Sequence, residues 1–186
     1  MKSTSTIRLG LQLLKTRIGV DGLYRELGDD LPLRSELFSL AQLEDHAVAL
    51  AKWHQLDPAP GPDRLLARLR ANERILLEAY ELVTAAVDKG RRISPASEWL
   101  LDNFYLIEEQ IRTARRHLPK GYSRELPRLL NGPAAGYPRV YDIALELISH
   151  VDGRVDADSL QCVVAAYQTI APLKLGELWA VPIMMR

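Results

Sequence analysis

The strongest constraint on this chain is a pair of long segments in which apolar residues recur every three or four positions. In residues 63–89 the repeated positions are Leu65, Leu69, Asn72, Leu76, Ala79, Val83 and Ala86. In residues 94–118 they are Leu100, Phe104, Ile107, Ile111, Ala114 and Leu118. This spacing puts the repeated side chains on one face of a helix. It predicts two long helices that pair as an antiparallel hairpin.

The ends of both segments carry residues that begin or stop helices. Ser94 and Pro95 suit the N-cap and the first helical position of the second segment. Gly90 suits the left-handed residue that follows the first segment, and Pro119 and Gly121 end the second. The connection between the two helices is therefore predicted to be only a few residues long.

Shorter helical patterns flank the pair, while patterns typical of strands are nearly absent. Ser39 with Gln42 predicts a capping box, and Asp156 predicts a second helix cap. The proline-rich stretch 57–62 interrupts the chain. The predicted shorter helices cover about 39–56, 123–130, 140–151, 156–170 and the segment after 176. The sequence thus predicts an all-α fold, a helical bundle of about six or seven helices built on the hairpin.

Composition excludes several classes of protein. The 186 residues contain 24 Lys and Arg against 24 Asp and Glu, a balance that argues against a nucleic-acid partner. The single cysteine, Cys162, excludes an internal disulfide and a cysteine-rich zinc site, and fits a reducing compartment. The longest uncharged stretch, 159–173, is too short and too polar to span a bilayer.

The two ends of the chain differ in character. Residues 1–36 are predicted to form a basic, partly disordered tail, although a basic amphipathic segment on an anionic membrane surface is an alternative. Residues 37–186 are predicted to form a helical accessory domain that is truncated at its C-terminus. The apolar segment 176–186 stops without a cap or a polar tail. We therefore expect an exposed final helix and self-association through it.

No pattern for a metal, a cofactor or a nucleophile is apparent. His46, His54, His117 and His150 are scattered and are interpreted as surface or helix-end residues rather than metal ligands. Cys162 is interpreted as a buried, inert thiol. No glycine-rich phosphate loop or nucleophile elbow occurs. Neither a metal nor a cofactor is predicted.

Two charged groups each have two interpretations. Glu98, Asp102 and Glu109 share a helix face and suggest either an acid/base pair for a glycosidic bond or, as we favour, an ion-paired solvent face. Basic residues crowd the positions that follow, opposed only by Glu125. They either bind phosphate, an anionic lipid or an acidic partner, or are solvated surface. These residues are Arg112, Arg115, Arg116, Lys120, Arg124 and Arg128, with Tyr122 among them.

Several strings between residue 37 and the C-terminus resemble the N-terminal region of cyclic β-1,2-glucan synthases, the membrane enzymes of glycosyltransferase family 84. The strings are Glu98-Trp99-Leu100-Leu101-Asp102-Asn103-Phe104, Glu108-Glu109-Gln110-Ile111-Arg112, Leu118-Pro119-Lys120-Gly121-Tyr122, Arg124-Glu125-Leu126-Pro127, Gly136-Tyr137-Pro138-Arg139-Val140-Tyr141 and Leu175-Gly176-Glu177-Leu178-Trp179-Ala180. The resemblance implies a helical cytoplasmic region that precedes a transferase using UDP-glucose. It places the chain at the inner face of the bacterial inner membrane.

The chain departs from that family in what it lacks. It has no Gln-x-x-Arg-Trp motif, no membrane span and no glycoside-processing domain, so no catalytic residue is carried over. We expect a non-catalytic scaffolding or docking role against the synthase's transferase and glycoside-processing domains. The alternative is an independent interaction module that binds an acidic protein or membrane surface. The expected contact residues are Trp99, Asp102, Asn103, Glu109, Arg112, Arg116, Lys120, Tyr122, Arg124 and Arg139.

Overall fold

Helices make up most of the computed structural model, which describes residues 36–57 and 59–186. The α-helices in this part are α1 (Leu40–Trp53), α2 (Leu65–Asp88), α3 (Pro95–His117), α4 (Arg139–His150), α5 (Ala157–Gln168) and α6 (Leu175–Met184). Two short strands, β1 (Leu56–Asp57) and β2 (Arg128–Leu129), pair antiparallel. The mostly helical prediction is confirmed. Of the predicted tail, 1–36, residues 1–35 lie outside the described residues.

One compact unit comprises residues 66–113 and contains most of α2 and α3. Ile75 and Ala79 are buried in it, and Leu82 and Leu100 pack against them. The rings of Tyr80 and Phe104 lie 4.3 Å apart, centroid to centroid. These contacts join α2 to α3, while the antiparallel hairpin itself stays a prediction.

The predicted ends of α2 and α3 are confirmed to within one or two residues. Gly90 has a φ of 64°, a left-handed conformation that glycine adopts without a Cβ clash. The Arg91 N–H donates to the Ala86 carbonyl at 3.0 Å and closes the helix end. At the start of α3, the Ser97 N–H donates to the Ser94 hydroxyl oxygen at 3.2 Å. Local chemistry therefore sets this connection.

A second compact unit contains the described residues of 31–65 together with 114–186. Within it α1 packs against α4 and α5, and α4 packs against α6. The core is apolar except for a few buried polar side chains. Its most deeply buried apolar residues include Leu43, Ala47, Val140, Ile143, Leu147, Tyr167 and Ala180.

The predicted capping box at Ser39 and the predicted helix cap at Asp156 are both confirmed in this unit. Ser39 and Gln42 cap α1, and Asp156 and Ser159 cap α5 with reciprocal hydrogen bonds. The Ser159 N–H donates to Asp156 Oδ1 at 2.7 Å. This hydrogen bond lowers the pKa of the Asp156 carboxyl below its ordinary value.

The Asp156 cap gives the stability of this unit an acid-dependent part. Because the folded-state pKa lies below the unfolded-state pKa, the ionised cap stabilises the fold above about pH 4, the ordinary range of an aspartate. That stabilisation is lost as the pH falls through the folded-state pKa. We expect the Asp156→Asn variant to lose less stability than the wild type on acidification, measured by urea unfolding from pH 7 to pH 3. Asp158→Asn is the matched control, and an equal effect there would contradict the assignment.

The segment 123–130 differs from its predicted helix. It forms a 3-10 turn at Tyr122–Arg124 and then strand β2. Pro127 lacks an N–H and disfavours helical geometry at the residue before it. The Asn131 side chain binds the Trp53 carbonyl at 2.8 Å and the Gln55 N–H at 3.0 Å. Contacts with residues that are distant in sequence therefore replace the expected helix.

Helix α6 presents two different faces. Glu177, Ala180 and Val181 are buried, whereas Leu175 and Trp179 are 72% and 71% exposed. The helix is ten residues long and continues through Pro182. In the part of the chain that the structure describes, no helix combines the length and apolarity needed to cross a membrane. The outer face of α6 therefore exposes two large apolar side chains to solvent.

Candidate docking groove and polar clusters

An apolar groove of about 650 Å³ lies along the exposed face of α6. We call it the α6 groove. Both of its walls belong to the second compact unit, one from α6 and the other from the end of α3 and the turn that follows. It is lined by His117, Pro119, Tyr122, Leu175, Gly176, Trp179, Pro182, Ile183 and Arg186.

A hydrogen bond holds the two walls of the groove together. The Tyr122 hydroxyl donates to the Gly176 carbonyl in the first turn of α6 at 2.5 Å. Burial raises the pKa of Tyr122, so its hydroxyl keeps the proton that it donates at neutral pH. Leu175 and Trp179 are one helical turn apart and form an apolar ledge beside this bond. The groove is thus built on fixed elements.

Four of the expected contact residues lie on the surface of the unit 66–113. Trp99 is 57% exposed, and Asp102, Glu109 and Arg112 are also exposed. Asn103 is half-buried, and its amide donates to the Trp99 carbonyl at 2.9 Å. The Asn103 side chain therefore stabilises its own helix. The carboxylates occupy an open helix surface, which favours the solvent-face interpretation.

Four further expected contact residues belong to the second unit. Arg116, Lys120 and Arg124 are exposed, and Tyr122 lines the α6 groove. The last member of the basic run behaves differently, because Arg128 Nη2 donates to Asp57 Oδ2 at 2.7 Å and is half-buried. The positive charge of Arg128 is thus compensated within the fold.

Arg139 is placed in the interior rather than on a docking surface. Its Nε and Nη2 donate to the two carboxylate oxygens of Glu177 at 2.6 and 2.8 Å, and Nη2 also donates to the Pro172 carbonyl. Burial alone would lower the pKa of Arg139, but the hydrogen bond and charge of Glu177 raise it. The pair joins α4 to α6. Arg139 therefore positions the helix that carries the groove and is not itself accessible to a partner.

A second buried polar cluster contains His54, which caps the C-terminal end of α1, as the helix-end interpretation expects, but is buried rather than on the surface. His54 Nε2 lies 3.0 Å from Asp142 Oδ2, and Nδ1 lies 2.8 Å from the Tyr167 hydroxyl. The carboxylate only accepts, so Nε2 donates to Asp142, and in the neutral ring Nδ1 accepts from Tyr167. All three side chains are buried. This arrangement ties α1, α4 and α5 together.

Cys162 is half-buried, which is less than the sequence analysis expects. Its thiol donates to the Leu40 carbonyl at 3.4 Å. Burial raises the pKa of this thiol. A raised pKa disfavours the thiolate, so the structure agrees with an unreactive cysteine.

A third cluster comprises His46, Glu146 and His150, which we call the histidine cluster. Glu146 Oε2 lies 2.9 Å from His46 Nε2 and 3.5 Å from His150 Nε2. The hydrogen bond from His46 lowers the pKa of the Glu146 carboxyl, although burial opposes the shift. These three side chains have the donor atoms and the spacing to hold a metal ion.

Comparison with known proteins finds a relative whose name states an activity. The chain is 36% identical over 156 residues, 83% of its length, to the cyclic beta-(1,2)-glucan synthase NdvB of Rhizobium meliloti (strain 1021). The chain is related to a region of this synthase. It spans about 5% of the synthase's length. No family model matches the chain. No solved structure matches it either.

The relation to the synthase confirms the resemblance found in the sequence strings. Those strings carry the exposed Trp99 and Trp179 as well as the buried Arg139 and Glu177. The strings therefore include surface positions as well as the interior pair that fixes α6. Sequence reasoning missed Glu177 as the partner of Arg139, because the two lie 38 positions apart in no recognisable spacing.

Proposed function

We propose that this chain is a non-catalytic N-terminal helical region of a cyclic β-1,2-glucan synthase. Its role is to dock against the synthase's transferase and glycoside-processing domains at the cytoplasmic face of the bacterial inner membrane. The exposed apolar α6 groove is the single observation that supports this role best. The relation to a small part of a much longer synthase supports the choice of partner.

The chemistry of the groove favours a protein partner. Large exposed apolar patches on folded domains commonly mark interaction sites. Tryptophan and tyrosine are enriched at the energetic centres of interfaces, where an apolar ring and one polar atom are buried together. Trp179 and Tyr122 supply these features, and Leu175 extends the apolar surface. The fitting occupant is an apolar surface of the synthase's remaining domains.

The same groove argues against independent glycosyl chemistry. The described residues that line it include a histidine, a tyrosine and an arginine, but no carboxylate. Glycosidic bonds are usually cleaved by a pair of carboxylates held on either side of the bond. The candidate carboxylates Asp102 and Glu109 are exposed on a helix face instead. The glycoside hydrolase interpretation therefore has little structural support.

A turnover assay tests the non-catalytic part of the proposal. We expect the isolated chain to form no glucan from UDP-glucose, because its sequence lacks the Gln-x-x-Arg-Trp motif of the family's transferase. Product analysis by chromatography after incubation with radiolabelled UDP-glucose measures this directly, with membranes that contain the Rhizobium meliloti synthase as the positive control. Glucan formation by the chain alone would overturn the proposal.

The alternative function is an independent module that binds an acidic surface. It is favoured by one observation, the exposure of Arg116, Lys120 and Arg124 within a single compact unit. Basic side chains near an anionic bilayer each contribute about 1 kcal/mol to binding. Sedimentation with vesicles of acidic lipid separates the two functions. Only the alternative expects binding that the triple charge reversal R116E/K120E/R124E abolishes.

A further inference from the structure

We propose that the histidine cluster of His46, Glu146 and His150 binds a divalent transition metal ion of the zinc type. One donor atom from each residue lies within 4.8 Å of the other two. The ligand atoms of a tetrahedral zinc ion are separated by about 3.4 Å, given bond lengths near 2.1 Å. The two distances from Glu146 to the imidazoles, 2.9 and 3.5 Å, bracket that value. Small side-chain movements would complete the site.

His150 already has the tautomer that metal binding requires. Its Nδ1 lies 2.7 Å from the backbone carbonyl oxygen of Glu36. A carbonyl only accepts, so Nδ1 carries the proton, and the neutral ring directs the lone pair of Nε2 toward the cluster. Metal-bound histidines commonly donate their other ring N–H to a carbonyl or carboxylate, which fixes the ring. Glu36 supplies that outer hydrogen bond here.

The centre of the cluster has a shortage of positive charge when its histidines are neutral. The lone pair of His150 Nε2 then faces the carboxylate oxygen of Glu146 at 3.5 Å, with no proton between them. Without a metal, His46 Nε2 can donate one proton to the same oxygen. A metal ion bound by all three donor atoms would take the place of that proton, which His46 would then carry on Nδ1 or release to solvent. The arrangement therefore favours a bound positive ion.

Rigid surroundings hold the ligands in place. Glu146 and His150 are one turn apart on the same face of α4, and His46 comes from α1, which packs against α4. The Phe38 ring stacks on His150 at 3.9 Å with an interplanar angle of 10°. It also meets the edge of the His46 ring at 5.4 Å. The aromatic contact restricts both imidazoles and shields one side of the site.

Solvent can reach the other side of the histidine cluster. The types of ligand atom in the cluster determine which metal ions fit. The side chains of His46 and Glu146 are 31% and 33% exposed, so an ion can enter and keep water as a further ligand. Two imidazoles and one carboxylate suit zinc and its neighbours, whereas magnesium and calcium prefer oxygen ligands alone. Residues 1–35 contain no histidine or cysteine that would compete for the ion.

Metal titration of the full chain tests the proposal. We expect isothermal titration calorimetry with Zn²⁺ to give one ion per chain, and Mg²⁺ to give no comparable binding. At about one hundred times the dissociation constant, Zn²⁺ should raise the melting temperature by about 5–10 °C. The variants His46→Ala and Glu146→Gln should each weaken binding by at least tenfold. Both residues are partly exposed, so these variants should still fold, which circular dichroism checks.

The matched control removes a carboxylate next to the site without touching it. Asp45 is exposed on α1 beside His46 in sequence, and Asp45→Asn should bind Zn²⁺ as the wild type does. The proposal is overturned if the wild type binds no Zn²⁺. It is equally overturned if His46→Ala and Glu146→Gln bind Zn²⁺ as tightly as the wild type, since other surface groups would then be the ligands.

Discussion

Replacing Glu177 with leucine is expected to destabilise the second compact unit by about 3–5 kcal/mol, which corresponds to a fall in melting temperature of about 6–20 °C. The substitution leaves the Arg139 guanidinium buried without its bidentate partner, and arginine cannot lose its proton to escape the penalty. Glu177 also accepts the Lys174 N–H at 2.9 Å at the start of α6. Urea unfolding followed by circular dichroism measures the loss.

The double variant Arg139→Met/Glu177→Leu is the informative control. Removing both charges eliminates the unpaired group, so this variant should recover most of the stability lost by Glu177→Leu alone. Glu98→Gln removes an exposed carboxylate and should change the free energy of unfolding by less than about 0.5 kcal/mol. A Glu177→Leu loss of under about 1 kcal/mol would contradict the buried ion pair.

Replacing Trp179 with glutamate is expected to weaken docking to the synthase by about 30-fold or more. Truncation of a central interface residue costs about 2–4 kcal/mol, and the new charge must also lose its hydration when the surfaces meet. The Trp179 side chain is mostly exposed in the chain alone, so the substitution should leave folding intact. Biolayer interferometry measures the affinity for the Rhizobium meliloti synthase from which the related region has been removed.

Leu130→Glu is the matched control for that experiment. Leu130 is 61% exposed in the same compact unit and does not line the α6 groove. The Leu130→Glu variant should bind the synthase as tightly as the wild type does. Equal losses for both variants would indicate non-specific apolar adhesion, and equal retention would exclude Trp179 from the interface. A wild-type chain that binds only another copy of itself would instead support the predicted self-association.

Local features of this fold can be predicted from the sequence because the residues that form them lie within a few positions of one another. The capping boxes at Ser39 and Asp156 and the left-handed Gly90 each depend on hydrogen bonds over three to five positions. The apolar stripe of α2 is readable only in part. Leu66 and Ile75 are buried although the predicted stripe omits them, and the predicted Leu76 is only half-buried.

The two polar clusters that contain histidines could not be predicted from the sequence in this way. His46 and Glu146 are separated by 100 positions, and His54 and Tyr167 by 113. No short spacing indicates that such residues meet, because only the packing of α1 against α4 and α5 brings them together. Strand β2 shows the same dependence, since its partner β1 lies about 70 residues earlier. The sequence strings also do not show that Trp179 is exposed whereas Arg139 is buried.

Site-specific photo-crosslinking tests the docking claim most directly. The substitution Trp179→benzoylphenylalanine places a photoreactive group on the ledge of the α6 groove, and the same substitution at Leu130 provides a surface reference. After illumination with membranes that contain the Rhizobium meliloti synthase lacking its related region, we expect position 179 to form an adduct with the synthase's remaining domains and position 130 to form none. Adducts from both positions alike, or from position 179 with lipid alone, would contradict the account.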